Sequence, residues 1–152
     1  MTTSSQATAA AAPVEIDGKQ YHVSPLSDRE WAELDLWCQG RVIQIARASL
    51  PSDASEEDRR QTMAAAFENA AQRSWAKDGV RAVQTRPGLS QFVWRLLHRR
   101  HPELTLDEVA GWWQRDPDII GRIMDAFALV SGAEPKKGPA AAQAAGENKP
   151  AQ

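Results

Sequence analysis

Cysteine is nearly missing: Cys38 is the only one in 152 residues. A single thiol excludes an intrachain disulfide framework and a cysteine-based zinc site, so stability must come from packing, and it points to a reducing compartment. Long apolar runs are missing as well. No stretch approaches the roughly 20 residues that cross a bilayer, and the amino terminus has no basic-then-apolar secretory pattern. The expectation is a soluble, cytoplasmic protein with no membrane partner. Catalytic signatures are equally scarce: there is no GxSxG, no phosphate loop and no GxGxxG, and no pair of acids is set among glycines, histidines or apolar pocket residues. The reading is therefore of a non-enzyme with no cofactor. Finally, Val, Ile, Leu, Phe and Trp are missing from residues 1–13 and from residues 133–152. Both ends are expected to be disordered, because such compositions bury too little surface to offset ordering entropy. That leaves one domain over residues 14–132.

Within that domain the pattern predicts a mainly α fold, with a short N-terminal β-hairpin followed by about five helices. Asp17-Gly18 inside VEIDGKQYHV supplies a two-residue hairpin turn. Ser27 and Glu30 read as a capping box for a first helix running to about Ser49. Trp31, Leu34, Cys38, Val42 and Ile45 form its core stripe. Leu36, Ile43 and Leu50 lie seven apart on nearly the opposite side, a second stripe that a lone surface helix does not need; either the helix is sandwiched by another element or the stripe meets a partner, and self-association of a homo-oligomer is the reading taken. Ser55 opens a second helix to about Lys77, with Met63, Phe67, Ala70, Ala71 and Trp75 facing inward and Asp78-Gly79 as its stop. Val80 to Thr85 is read as loop and Arg86-Pro87-Gly88 as a turn. A third helix spans Leu89 to about Arg100. Thr105 with Glu108 opens a fourth that ends near Arg115, and Asp116-Pro117 opens a fifth that closes at Gly132.

Charge is segregated along the chain. Arg73 to His101 holds seven Lys and Arg against one acid, Asp78, whereas Ser27 to Asp58 holds eight acids against three bases. A basic block can neutralise phosphates, but complementary faces also attract within a fold or between subunits. Nucleic acid is the disfavoured partner, since the whole chain is acidic at formal charge −2. A helix-turn-helix reading of LTLDEVA fails on the next helix, which opens with Asp116 and Asp118 where a groove-reading helix needs bases. His98 and His101 have a metal-capable spacing but no third ligand, so no metal is expected. The surplus of tryptophan is the unusual feature. Of six, Trp37, Trp94 and the adjacent Trp112 and Trp113 cannot all point inward, because helical neighbours diverge by about 100°. Trp112 and Trp113, with Arg95, Arg99 and Arg100, are therefore the candidate partner-binding residues; the plainer alternative is that the indoles line the edges of a thin core.

The order of these elements carries a resemblance. EIDGKQYHVSPLS running into a Trp- and Leu-rich helix, then LLHRRHPELTLDEVAGWW and a terminal amphipathic helix ending in Ser-Gly, resembles the tail assembly chaperones of long-tailed bacteriophages over Val14 to Gly132. The resemblance implies a non-enzymatic, oligomeric helical protein of the host bacterial cytoplasm. Such a protein holds the tape measure protein soluble, helps recruit tail tube protein, and is absent from the mature virion. The family often makes a second, longer product by a backward ribosomal slip. Pro135-Lys136-Lys137 is compatible with the codons of such a slip, while its plainer reading is a pair of solubilising lysines. Two rivals stay open: a structural phage connector subunit, and a small nucleic-acid-binding packaging protein using Arg95 to Arg100.

Overall fold

Asp17 and Gly18 both take positive φ, 52° and 77°, as a type I′ turn requires. They join β1 (Ala12–Ile16) to β2 (Lys19–Val23), with Ile16 opposite Lys19 and Ala12 opposite Val23. The computed structural model describes residues 11–132. The expected disorder of residues 1–10 and 133–152, and the Pro135-Lys136-Lys137 reading, lie outside the described residues. Ala12 and Pro13, expected to precede the domain, belong to β1, where Ala12 is buried.

Two strands alone are marginal in water, and this hairpin is held by docking. Its inward residues Val14, Ile16, Tyr21 and Val23 are buried against α4 (Arg86–His98) and α6 (Asp118–Val130), and the Ser24 N–H donates to the Leu96 carbonyl at 3.0 Å. The remaining helices are α1 (Asp28–Ser49), α2 (Glu56–Ala71), α3 (Trp75–Ala82) and α5 (Leu106–Arg115). Helix α4 is the hub. It packs against α1, α3, α5, α6 and β2, and it buries Phe92, Val93, Leu96 and Leu97. By contrast, α2 touches α1 alone among the described residues.

Both expected capping boxes form. Ser27 Oγ accepts the Glu30 N–H while Glu30 Oε2 accepts the Ser27 N–H at 2.7 Å, and Thr105 with Glu108 does the same for α5. Asp116 Oδ1 accepts the Asp118 N–H at 3.0 Å beside Pro117, which already has helical backbone, so α6 starts where the Asp-Pro pair placed it.

The middle of the chain differs from its reading. The second helix ends at Ala71 instead of Lys77, and residues 75–82, expected to contain a stop and a loop, form a separate helix, α3. Six helices result among the described residues instead of five. The cause is a second set of caps. Ser74 Oγ accepts from Lys77 N, Asp78 Oδ2 accepts the Ser74 N–H, and Asp35 Oδ1 accepts the Trp75 N–H at 2.6 Å. Gly79 is no stop but a contact: a Cβ there would stand 2.8 Å from Trp75 Nε1. Likewise Arg86-Pro87-Gly88 is the first turn of α4, capped by Thr85, whose hydroxyl accepts the Gly88 N–H.

Candidate functional site

The first helix was expected to bury one stripe and present another. Only Leu34 and Cys38 are buried on it; Trp31 and Ile45 of the core stripe are exposed, as is Phe67 on α2. The second stripe is split. Ile43 and Leu50 are half-buried on the α1 face that also carries Gln39, whose amide donates to the Arg73 carbonyl just beyond α2. Helix α2 packs against α1, and Ile43 and Leu50 share the α1 face that Gln39 ties to the end of α2, which fits the sandwiched-helix alternative for these two residues. Leu36 alone of the three is well exposed, at 64%.

The candidate partner-binding residues are also redistributed. Trp112 is 3% exposed and meets Tyr21 edge-on at 5.3 Å, so it belongs to the core beneath the hairpin. Trp113 is half-buried and donates from Nε1 to Ser90 Oγ at 3.2 Å. Of the basic block, Arg95 is mostly buried and ion-pairs with Glu33 of α1. Arg99 donates to the Pro25 carbonyl and lies 3.5 Å from Glu30, and Arg100 donates to Ser24 Oγ. Partial burial pushes the Glu33 carboxyl up, but the Arg95 and Arg29 guanidiniums outweigh it and hold Glu33 below the usual carboxylate range. Arg95, Arg99 and Arg100 thus clamp α1 and the β2–α1 turn onto α4, the within-fold complementarity weighed from the sequence. Arg95 is withdrawn from solvent by this arrangement, whereas Arg99 and Arg100 stay exposed while making their contacts.

The histidines are structural in the same sense. His101 Nε2 accepts the His22 N–H at 2.9 Å, and its ring stacks on His22. His98 stacks on Trp94 with centroids 4.1 Å apart. No cluster of three potential ligands exists among the described residues. Cys38 is buried, and burial together with nearby Asp78 and Asp35 pushes its thiol pKa up, away from the reactive thiolate.

What the helices do leave open is apolar. An open groove of about 560 Å³ runs between α1, α3 and α4, with Met124 of α6 at its edge. Phe92 and Trp75 stack at 5.5 Å to make its floor, and Phe127 meets Phe92 edge-on. Trp31, 37% exposed, and Val80, 78% exposed, stand among its lining. Asp35 is the one charged lining residue, and its Oδ1 is already bonded to Trp75. Such a surface can desolvate an apolar segment of a partner and has little to offer a polar substrate.

Sequence reasoning assigned Trp31 and Trp75 to the core and Val80 to a loop, and so missed the groove. The available signal was Ser74, a fourth Ser or Thr placed to cap a helix, which would have put Trp75, Gly79, Val80 and Val83 on one helical face. Comparison with protein-family models, curated proteins and solved structures finds no match to this chain.

Proposed function

We propose that the chain is a non-enzymatic tail assembly chaperone that shelters an apolar helical segment of a tape measure protein in the groove between α1, α3 and α4 and assists addition of tail tube protein. The observation that carries this reading is the open apolar groove with Trp31 and Val80 exposed in it. An aromatic anchor beside aliphatic neighbours is the composition of a protein-binding hot spot, and a helix laid in a groove is the mode that helical walls favour. The resemblance of Val14 to Gly132 to phage tail chaperones supplies the partner. The packaging reading loses support, since Arg95, Arg99 and Arg100 are all bonded within the chain.

The test is binding of a tape measure fragment, followed by fluorescence anisotropy, to the wild-type chain and to Trp31→Ala. Loss of the indole is expected to weaken binding by about 2 kcal/mol, the scale of an aromatic hot spot, with the thermal transition retained. Unchanged affinity in both Trp31→Ala and Val80→Asp would overturn the groove assignment. Recovery of the protein as a stoichiometric component of purified virions would overturn the chaperone reading in favour of a connector subunit.

A further inference from the structure

Helix α3 separates two grooves. Trp75, Ala76, Gly79, Val80 and Val83 face the apolar groove just described, whereas Asp78, Arg81 and Ala82 point to another side of the helix, about 140° away at 100° per residue. There they meet α1 across a smaller groove of about 220 Å³ with a different chemistry. Trp37, Cys38, Val42, Ile45 and Ala82 give it an apolar floor, and Arg41, Arg73 and Arg81 stand around it against a single acid, Asp78.

That acid is already used. Asp78 Oδ1 pairs with Arg73 at 3.1 Å and its Oδ2 accepts the Ser74 N–H. The Arg41 guanidinium bonds only to the neutral amide oxygen of Gln44, and the Arg81 guanidinium has neither hydrogen bond nor ion pair among the described residues. The contrast with Arg95 is direct: Arg95 is ion-paired within the fold, while Arg81 of the same basic block, and Arg41 on α1, have no acidic partner among the described residues and stand beside exposed apolar surface.

We propose that this second groove docks an acidic amphipathic helix of another protein, its apolar seam on Val42, Ile45 and Ala82 and its Asp or Glu side chains on Arg41 and Arg81. Charge complementarity selects the occupant. Two uncompensated guanidiniums repel a basic segment, leave a neutral one without polar partners at the rim, and bind carboxylates bidentately. The walls are two helices with their backbone groups satisfied, so a helix fits and an added strand does not. A second copy is a poor match, because the most acidic exposed turn of this chain, Glu56-Glu57-Asp58, is followed by Arg59, Arg60 and Gln61 and carries no apolar seam. The inference lies on the other face of α3 from the tape measure groove and stands or falls separately from that reading.

The test uses the full chain and a labelled 18-residue designed helix with a leucine seam flanked by Glu, alongside the same peptide with Lys in place of Glu. The Glu peptide is expected to bind at least tenfold tighter than the Lys peptide at low salt and to lose that advantage as salt rises. Arg41→Glu with Arg81→Glu is expected to reverse the preference, and Arg81→Gln, which adds no repulsion, to weaken the Glu peptide severalfold. Trp31→Ala is expected to leave Glu-peptide binding unchanged, which separates this groove from the other. Equal binding of the two peptides would overturn the proposal. So would a stronger effect of the arginine substitutions on a single-stranded oligonucleotide or on oleate than on the Glu peptide, or a change in self-association on Arg81→Gln without any change in peptide binding.

Discussion

Asp35 Oδ1 on α1 accepts the backbone N–H of Trp75, the first residue of α3, at 2.6 Å across 40 residues of chain. With the Ser74 and Asp78 caps, this bond ties the start of α3 to α1, and the two helices line both grooves. Asp35→Ala leaves that N–H without its acceptor, and about 1–3 kcal/mol of stability is expected to go with it. Asp35→Asn keeps an oxygen in place and should lose less than half as much. Urea unfolding measures both; an Asp35→Ala midpoint equal to wild type would show that α3 is positioned by packing alone.

The two classes of tryptophan are expected to separate under substitution. Trp112 lies under the hairpin, and Trp112→Ala should cost about 3–5 kcal/mol, the range for emptying a large aromatic site in a core. Trp31 stands at the rim of the groove, where truncation removes far less buried surface, and Trp31→Ala should shift stability by less than about 1 kcal/mol. Thermal melts of the two variants check the ordering. A reversal would mean that the hairpin is not seated on Trp112.

The parts of this fold that were legible in the sequence are those set by contacts a few residues apart. The Asp17-Gly18 turn and the Ser27/Glu30 and Thr105/Glu108 boxes each hold their donor and acceptor within four residues, and each forms as read. The break before α3 was legible only in part: Ser74 and Asp78 are local cap residues, passed over in the reading, whereas Asp35, the acceptor of the Trp75 N–H, comes from another helix. For the same reason the basic block was taken for a surface: Arg95 finds Glu33 from 62 residues away. Trp112 and Trp113 could not be ranked either. Which indole turns inward depends on where β2 places Tyr21, a property of the assembled layers and not of the helix that carries both rings.

His101 makes stability depend on pH. Its Nε2 must be unprotonated to accept the His22 N–H, and burial pushes its pKa below the ordinary histidine value; Glu103 pulls the other way without reversing the shift. A folded-state pKa below the unfolded one means that the unfolded chain binds the proton more readily. The contribution is therefore complete above about pH 6.5 and is lost as pH falls through the unfolded value toward the folded one. The melting temperature is expected to drop as the pH falls below about 6.5, before most carboxylates protonate. His101→Gln keeps an acceptor for His22 and does not titrate, so its profile over that window should be flatter. An identical slope in the variant would assign the dependence to another group.

Gly88 lets α3 and α4 meet as closely as they do. A Cβ on residue 88 would stand 2.1 Å from the Ala82 carbonyl oxygen, and that oxygen is backbone, so no side-chain rotation can relieve the contact. The same carbonyl accepts the Thr85 hydroxyl at 2.7 Å and the Thr85 N–H at 3.0 Å, which ties it to the cap of α4. Gly88→Ala must therefore push α3 away from α4 or break the cap, and the cost expected is about 1–3 kcal/mol or more, as for other overpacked sites. Gly121 offers the control. It lies on α6 with open space where its Cβ would project, and Gly121→Ala should stabilise the chain by about 0.5–1 kcal/mol through helix propensity. If α3 moves outward, the groove between α1, α3 and α4 widens, so under the proposed function Gly88→Ala should also weaken binding of a tape measure fragment, and Gly121→Ala should not. Equal stability in the two variants would show that α3 and α4 yield to a methyl group, and the shape of the groove would then not depend on Gly88.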